Sequence, residues 1–297
     1  MIRLGVIGIS DGNGHPYSWS AICNGYSPVD MAVCGFPVIP EYLSEQIWPE
    51  ARLPDVEVSH VWTQDPASSI KIARAALISN IVDIPEEMIG KVDGLLLARD
   101  DAENHLKIAA PFLKAGVPVY IDKPIALNID ALDAIYDLQQ YEGQIFTCSA
   151  LRFAEELQLT PELKNRIGKI KHVEAVTPKS WKKYAVHIIE PVLKMLKGRA
   201  ELNSQLIDGF GNNGGSVFVQ FEGGISARFT ALGSEAMAPL SFRVFGDEGW
   251  VDLFFSDAFT AFKKSLNEFL DGIRTSCVKS PYNFNKEVVS IIERGAS

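Results

Sequence analysis

Cysteine is scarce and scattered: Cys23, Cys34, Cys148 and Cys277 are the four in 297 residues, and no two stand at CxxC spacing. Neither a zinc site nor a disulfide framework is indicated, so reduced thiols and a cytoplasmic protein are expected. Positive charge is also short. Lys and Arg number 28 against 37 Asp and Glu, a net charge of −9, with no basic stripe of the kind that nucleic-acid phosphates need. A general nucleic-acid binder is excluded on that ground. Long apolar runs are missing too. No stretch approaches the roughly 20 residues that span a bilayer, so no membrane partner is expected. The opening MIRLGVIGIS lacks the charged lead, long apolar centre and small-residue cleavage site of a secretory signal. Spacing typical of metal ligands is absent, and no metal is expected.

What is present is an ordinary globular composition, 47% hydrophobic and 22% charged, in a chain long enough for two moderate domains. These are expected at 1–150 and 151–297. The first is organised around VPVYIDKPIAL, Val117 to Leu127. Val117 to Ile121 reads as a buried strand that stops at Asp122 and Lys123, and Pro124 forbids further ladder pairing. A lysine at the carboxyl end of a strand is a cation aimed out of a sheet edge, where ligands of open α/β sheets bind. A solvated Lys-Pro turn is the plain alternative.

Arg3 to Ile9 predicts a strand, and Gly8, Gly12 and Gly14 lead from it into a helix at Tyr17 to Asn24. Strand, glycine-rich turn and helix make a phosphate cradle, because backbone N–H groups at a helix start bind anions. The match to GxGxxG is imperfect: Ser10 stands in the second glycine position and Asn13 in the third. His15 reads as a turn residue. Met31 to Cys34 predicts a second strand, which in a dinucleotide fold would end in an acid for the adenosine ribose. It ends in Cys34 and Gly35, with Asp30 at the wrong end, so NAD and NADP both stay open. A short helix near Tyr42 to Ile47, a third strand at His60 to Thr63 and a helix opened by Asp65-Pro66 follow. Asp93 to Ala98 is a fully buried strand that empties into Arg99, Asp100 and Asp101. Helices at Ala102 to Ala115 and from Asn128 to Gly143, then a strand at Gln144 to Ser149, complete a doubly wound parallel sheet.

From Leu151 the pattern changes. A helix at Ala154 to Ile167, a strand at Ile170 to Val176 and a helix at Tyr184 to Leu196 precede strands at Leu202 to Ile207, Asn212 to Gly215, Val217 to Phe221, Ile225 to Ala231, Ser241 to Phe245 and Trp250 to Leu253. Val217, Val219 and Phe221 alternate with Phe218, Gln220 and Glu222, the period of a sheet with one packed face. Helices at Ala258 to Thr275 and Lys286 to Ile292 close an α+β half with a mostly antiparallel sheet.

Several of these stretches, in register across essentially the whole chain, resemble the glucose-fructose oxidoreductase, inositol dehydrogenase and rhizopine-catabolism (Gfo/Idh/MocA) family. The family's Glu-Lys-Pro is similar to Asp122-Lys123-Pro124, its strand and histidine-bearing helix to DGLLLARDDAENH ending at His105, and its Arg-Phe pair to Arg152-Phe153. Its second-domain histidine with an acid three residues later resembles His187 and Glu190 in AVHIIEPVLKML, and GDEGWVDL followed by FKKSLNEFLDGI keeps the family order.

The resemblance implies a Rossmann-type domain followed by an α+β domain with an open sheet. It also implies NAD or NADP as cofactor and hydride transfer with a sugar-like substrate. On the same ground Lys123 and His187 are the expected catalytic pair, meeting across a crevice, with Lys123 stabilising alkoxide charge and His187 as the base. Gly8, Ser10, Gly12, Asn13, Asp100, Asp122 and Lys123 are the expected cofactor contacts, and Arg152 and Lys183 the substrate contacts. One departure stands out: where the family has an aspartate four residues before the histidine, this chain has Lys183, a cation that cannot accept the imidazole proton. Two alternatives share the scaffold, a cofactor-retaining lyase or epimerase and a non-catalytic sensor. A homodimer or homotetramer paired through the open sheet face, which carries Phe218, is also implied.

Overall fold

The computed structural model describes residues 1–196, 202–209 and 213–296, with only the backbone of 202–209. Chain contacts divide it into two units: Met1–Ala126, Asp130–Thr147 and Phe262–Tyr282 in the first, and Leu127–Ile129, Cys148–Ala261 and Asn283–Ser297 in the second.

The first unit is built on β1 (Ile2–Gly8), α1 (His15–Asn24), α2 (Pro28–Met31), α3 (Val38–Ser44), β2 (Val56–Thr63), α4 (Pro66–Ala75), β3 (Asn80–Ile81), β4 (Gly94–Leu97), α5 (His105–Lys114), β5 (Val119–Ile121), α6 (Ile129–Tyr136) and β6 (Ile145–Phe146). Its strands run in the order β3-β2-β1-β4-β5-β6, and every neighbouring pair is parallel. Strand order therefore reverses between β1 and β4, the switch point beside which open α/β sheets bind ligands. Leu4, Val6, Ile7, Leu95, Leu96 and Leu97 are wholly buried, as a parallel sheet covered on both faces requires. Trp19 and Tyr120 stack at 4.5 Å in the core, and Tyr120 meets Phe146 edge-on at 4.7 Å.

The second strand lies elsewhere than the sequence suggests. Met31–Cys34 is not extended: Ser27 caps α2 by accepting from the Asp30 N–H, Pro28 takes the first helical position, and these start signals outweigh a short apolar run. The second strand is Val56–Thr63, which pairs with β1 over Ile2–Gly8 and absorbs the expected third strand. The two-residue β3 was not foreseen.

The second unit contains α7 (Pro161–Ile167), β7 (Ile170–Thr177), α8 (Trp181–Tyr184), α9 (Val186–Met195), β8 (Leu202–Gly209), β9 (Gly215–Phe221), β10 (Ser226–Ala231), β11 (Ser241–Gly246), β12 (Trp250–Phe254), α10 (Ala258–Thr275), whose later part belongs to the first unit, and α11 (Tyr282–Gly295). Its sheet has the order β12-β11-β7-β10-β9-β8, antiparallel except for the parallel pair β7 and β10. Val217, Val219, Phe221, Phe229, Phe242 and Val244 form the buried face, matching the alternation in the sequence. Two expectations fail locally. Ala154 to Ile167 is helical as α7 only from Pro161, where Thr160 supplies the cap, and 3₁₀ turns precede it. The strand expected at Asn212 to Gly215 lies partly outside the described residues, Asn213 being in a turn.

Candidate functional site

In the first unit, the carboxyl ends of β1, β4 and β5 converge on one buried polar network. Ser10 Oγ donates to Asp100 Oδ1 at 2.7 Å and accepts from the Asp100 N–H at 3.0 Å. Asn13 Nδ2 donates to Asp122 Oδ2 at 2.7 Å, and the Lys123 N–H donates to Asp122 Oδ1 at 2.7 Å. Lys123 Nζ stands 3.8 Å from Asp100 Oδ2. The two residues that replace fingerprint glycines therefore turn their side chains into strand-end carboxylates. Gly8 must stay small, since a Cβ there would lie 2.4 Å from Pro16 Cγ, while Gly12 takes φ +74 with open space around it.

His15 belongs to the same network. Its Nδ1 lies 2.6 Å from Asp122 Oδ2, and its ring stacks on Trp19 at 4.8 Å. Burial alone would raise the Asp122 pKa. The charges of His15 and Lys123, with hydrogen bonds from His15 and Asn13, outweigh it and hold the carboxyl well below the usual range. The result is a buried anion that the Lys123 backbone, the His15 ring and the Asn13 amide face at the start of α1, where Asn13 Oδ1 also accepts from the His15 N–H at 2.8 Å.

The true end of β2 brings in residues the sequence reading did not select. Gln64 accepts from the Ile9 N–H at 3.1 Å and donates to Ile9 O at 2.6 Å, and Arg99 Nη1 donates to Gln64 Oε1 at 2.8 Å. The adjacent Asp65 is used as the cap of α4, accepting from the N–H groups of Ala67 and Ser68.

In the second unit, Ser149 Oγ lies 2.8 Å from His187 Nδ1. Ser149 Oγ also accepts from the Leu151 N–H at 3.3 Å. Glu190 is 2% exposed, and its Oε2 stands 3.5 Å from Arg152 Nη1, an ion pair without hydrogen-bond geometry. Burial pushes the Glu190 carboxyl up to about 7, against the lowering effects of Arg152 and the Ser149 N–H. Arg152 is itself buried, its guanidinium 5.0 Å from the Phe153 ring and 5.2 Å from the Phe284 ring. Lys183 is half-buried on α8, one turn before His187. Among the described residues no His, Cys, Asp and Glu cluster fit for a metal ion occurs, and no helix is long and apolar enough to cross a membrane.

A 3-2-1-4-5-6 parallel sheet, a glycine-bearing turn into α1 and charged side chains at the strand ends beside the switch point define a dinucleotide-binding fold of the Rossmann class. Residues 29–149 match the model of an oxidoreductase family with an NAD-binding Rossmann fold. Over this stretch the chain is similar to the Gfo/Idh/MocA family. A protein of Amycolatopsis mediterranei (strain S699) named as a UDP-kanosamine synthase oxidoreductase subunit is 26% identical over 119 residues, 40% of this chain. That match spans 33% of the relative's length.

Solved structures share the fold over nearly the whole chain. Biliverdin reductase from Synechocystis sp. PCC 6803, in complex with biliverdin and NADP+, has a TM-score of 0.70 at 13% identity, covering 99% of this chain and 98% of that one. The scyllo-inositol dehydrogenase of Lactobacillus casei has 0.70 at 13%, covering 98% and 94%. UDP-N-acetylglucosamine 3-dehydrogenase from Acidithiobacillus ferrooxidans has 0.67 at 13%, covering 99% and 96%. At such identities the likeness is one of fold. The family is NAD-binding and one neighbour was solved with NADP+, the two cofactors that the sequence left open.

Proposed function

We propose that the chain is an NAD(P)-dependent oxidoreductase acting on a hydroxyl or carbonyl carbon of a sugar or sugar-derived substrate. The observation that carries this is Lys123, a 5% exposed lysine delivered at the carboxyl end of β5 and fixed between Asp100 and Asp122. The names of the relatives, an inositol dehydrogenase and two proteins of UDP-sugar chemistry, support the substrate class.

The residues present fit a dinucleotide at the first unit. Gly12 leaves room for a close backbone approach, and Ser10 and Asn13 fold their side chains into the protein. The loop from Gly8 to Asn13 would hold the pyrophosphate, with Lys123, Asp100 and Asp122 near the nicotinamide end. The cofactor supplies the hydride acceptor or donor. Lys123 polarises the reacting oxygen and stabilises its developing negative charge, and His187 takes up or returns the hydroxyl proton at Nε2. Asp122 positions Lys123 through its backbone N–H. Arg152 acts on the substrate side as the counter-charge of Glu190, and Lys183 contributes positive charge near His187.

Lys123→Ala is the test. Loss of a charge-stabilising donor is expected to lower turnover on a panel of inositols and UDP-sugars about 100-fold or more, with NADH and NADPH affinity kept within about threefold. Undiminished turnover contradicts the proposal. The same proposal includes self-association through the outer face of the second sheet, where Trp250 is 57% and Phe254 52% exposed beside Phe218 and Phe245.

A further inference from the structure

We propose that the substrate group held beside His187 is an oxyanion, a phosphate or a carboxylate, selected by Lys179 and Lys183 with Tyr184. This deepens the function proposed above and rests on His187 as the residue that moves a proton.

The local charge runs against that of the chain. In a protein of net charge −9, Lys179, Lys182 and Lys183 fall within the six residues KSWKKY that lead into α9. Lys179 adopts φ +68, a left-handed conformation that long side chains avoid unless the surroundings impose it. Here the imposing contact is a bridge to Gly233, whose N–H donates to Lys179 O at 2.9 Å. The bend carries the ammonium onto Tyr184: Nζ donates to Oη at 2.5 Å and stands 4.4 Å from the ring centroid. The Tyr184 ring lies 5.3 Å from that of His187, whose Nδ1 is 2.8 Å from Ser149 Oγ.

Ammonium, phenol and imidazole thus form a continuous series on the second unit, with Lys183 one turn before the histidine. Of the acids flanking this segment in sequence, Glu174 stands 3.6 Å from His172 Nε2, and Glu190 is buried and faces Arg152. A neutral polyol gains little from such a grouping. An oxyanion gains charge-assisted hydrogen bonds from the ammonium groups, which bind phosphate and carboxylate as point charges.

The test titrates inorganic phosphate and, separately, acetate into the full-length protein at fixed pH and ionic strength, following the His187 Cε1–H resonance. A saturable millimolar shift with phosphate alone assigns a phosphate-bearing substrate, with acetate alone a carboxylate, and with both the shared oxyanion chemistry. The double variant Lys179→Gln, Lys183→Gln is expected to weaken binding about tenfold. The pair Lys179→Arg, Lys183→Arg, which keeps both charges, is expected to retain it. A response to both anions no larger than that to chloride overturns the inference. So does unchanged affinity in the glutamine variant. Dinucleotide binding is read separately by tryptophan fluorescence; its absence defeats the proposed function and leaves the anion result standing on its own.

Discussion

Asp122 has no exposed surface and stays ionised because His15, Lys123 and Asn13 all face it. Asp122→Asn removes the buried anion that these groups face and is expected to cost about 3–5 kcal/mol, measured by urea unfolding at neutral pH. Its folded pKa lies below the unfolded one. The stabilisation it gives is complete above the ordinary aspartate range and is lost as pH falls through the folded value. Glu190 has the opposite sign. Its carboxyl is raised from 4.5 to about 7, so the folded state holds the proton more tightly, and stability falls as pH rises through that window. The cost of ionising it is about 3 kcal/mol. Unfolding of the wild type and of Glu190→Gln at pH values below and above the window is expected to show the gap between them shift by that amount in favour of the glutamine variant. A gap that stays constant with pH contradicts this.

At the scale of elements, α4 offers the simplest check. Asp65→Ala removes a side chain that accepts from two backbone N–H groups and is expected to lower stability by about 1 kcal/mol in urea unfolding. Elements with a strong local signal were legible in the sequence. The GLLL run of β4, the alternation along β9 and the helix Ala258–Thr275 all stand where the sequence puts them. Met31–Cys34 was misread because a cap and a proline decide its conformation, and β3 escaped because two residues carry no period. The site divides along the same line. Asp100, Asp122 and Lys123 were legible as charges at strand ends, where topology alone gives them meaning. His15, Gln64 and Ser149 were not, since their partners lie 107, 55 and 38 residues away and a side-chain pairing of that reach leaves no local trace.

At the scale of the molecule, the chain returns to its first unit at Phe262–Tyr282 after completing the second sheet, so the sequence is not a simple succession of two halves. The outer face of that sheet carries Trp250 over Arg243 at 5.1 Å and His172 between Phe218 and Phe245. If copies pair there, Trp250→Glu is expected to convert a dimer or tetramer to monomer in sedimentation velocity at micromolar concentration. A wild-type monomer under those conditions removes the pairing. The central claim is that the loop from Gly8 to Asn13 holds a nicotinamide dinucleotide although Ser10 and Asn13 occupy glycine positions. Calorimetric titration of the wild-type protein with NADH and with NADPH tests it most directly: saturable binding of at least one, with a dissociation constant on the order of 1 μM to 1 mM, is the predicted result, and absence of binding by both at millimolar concentration would contradict it.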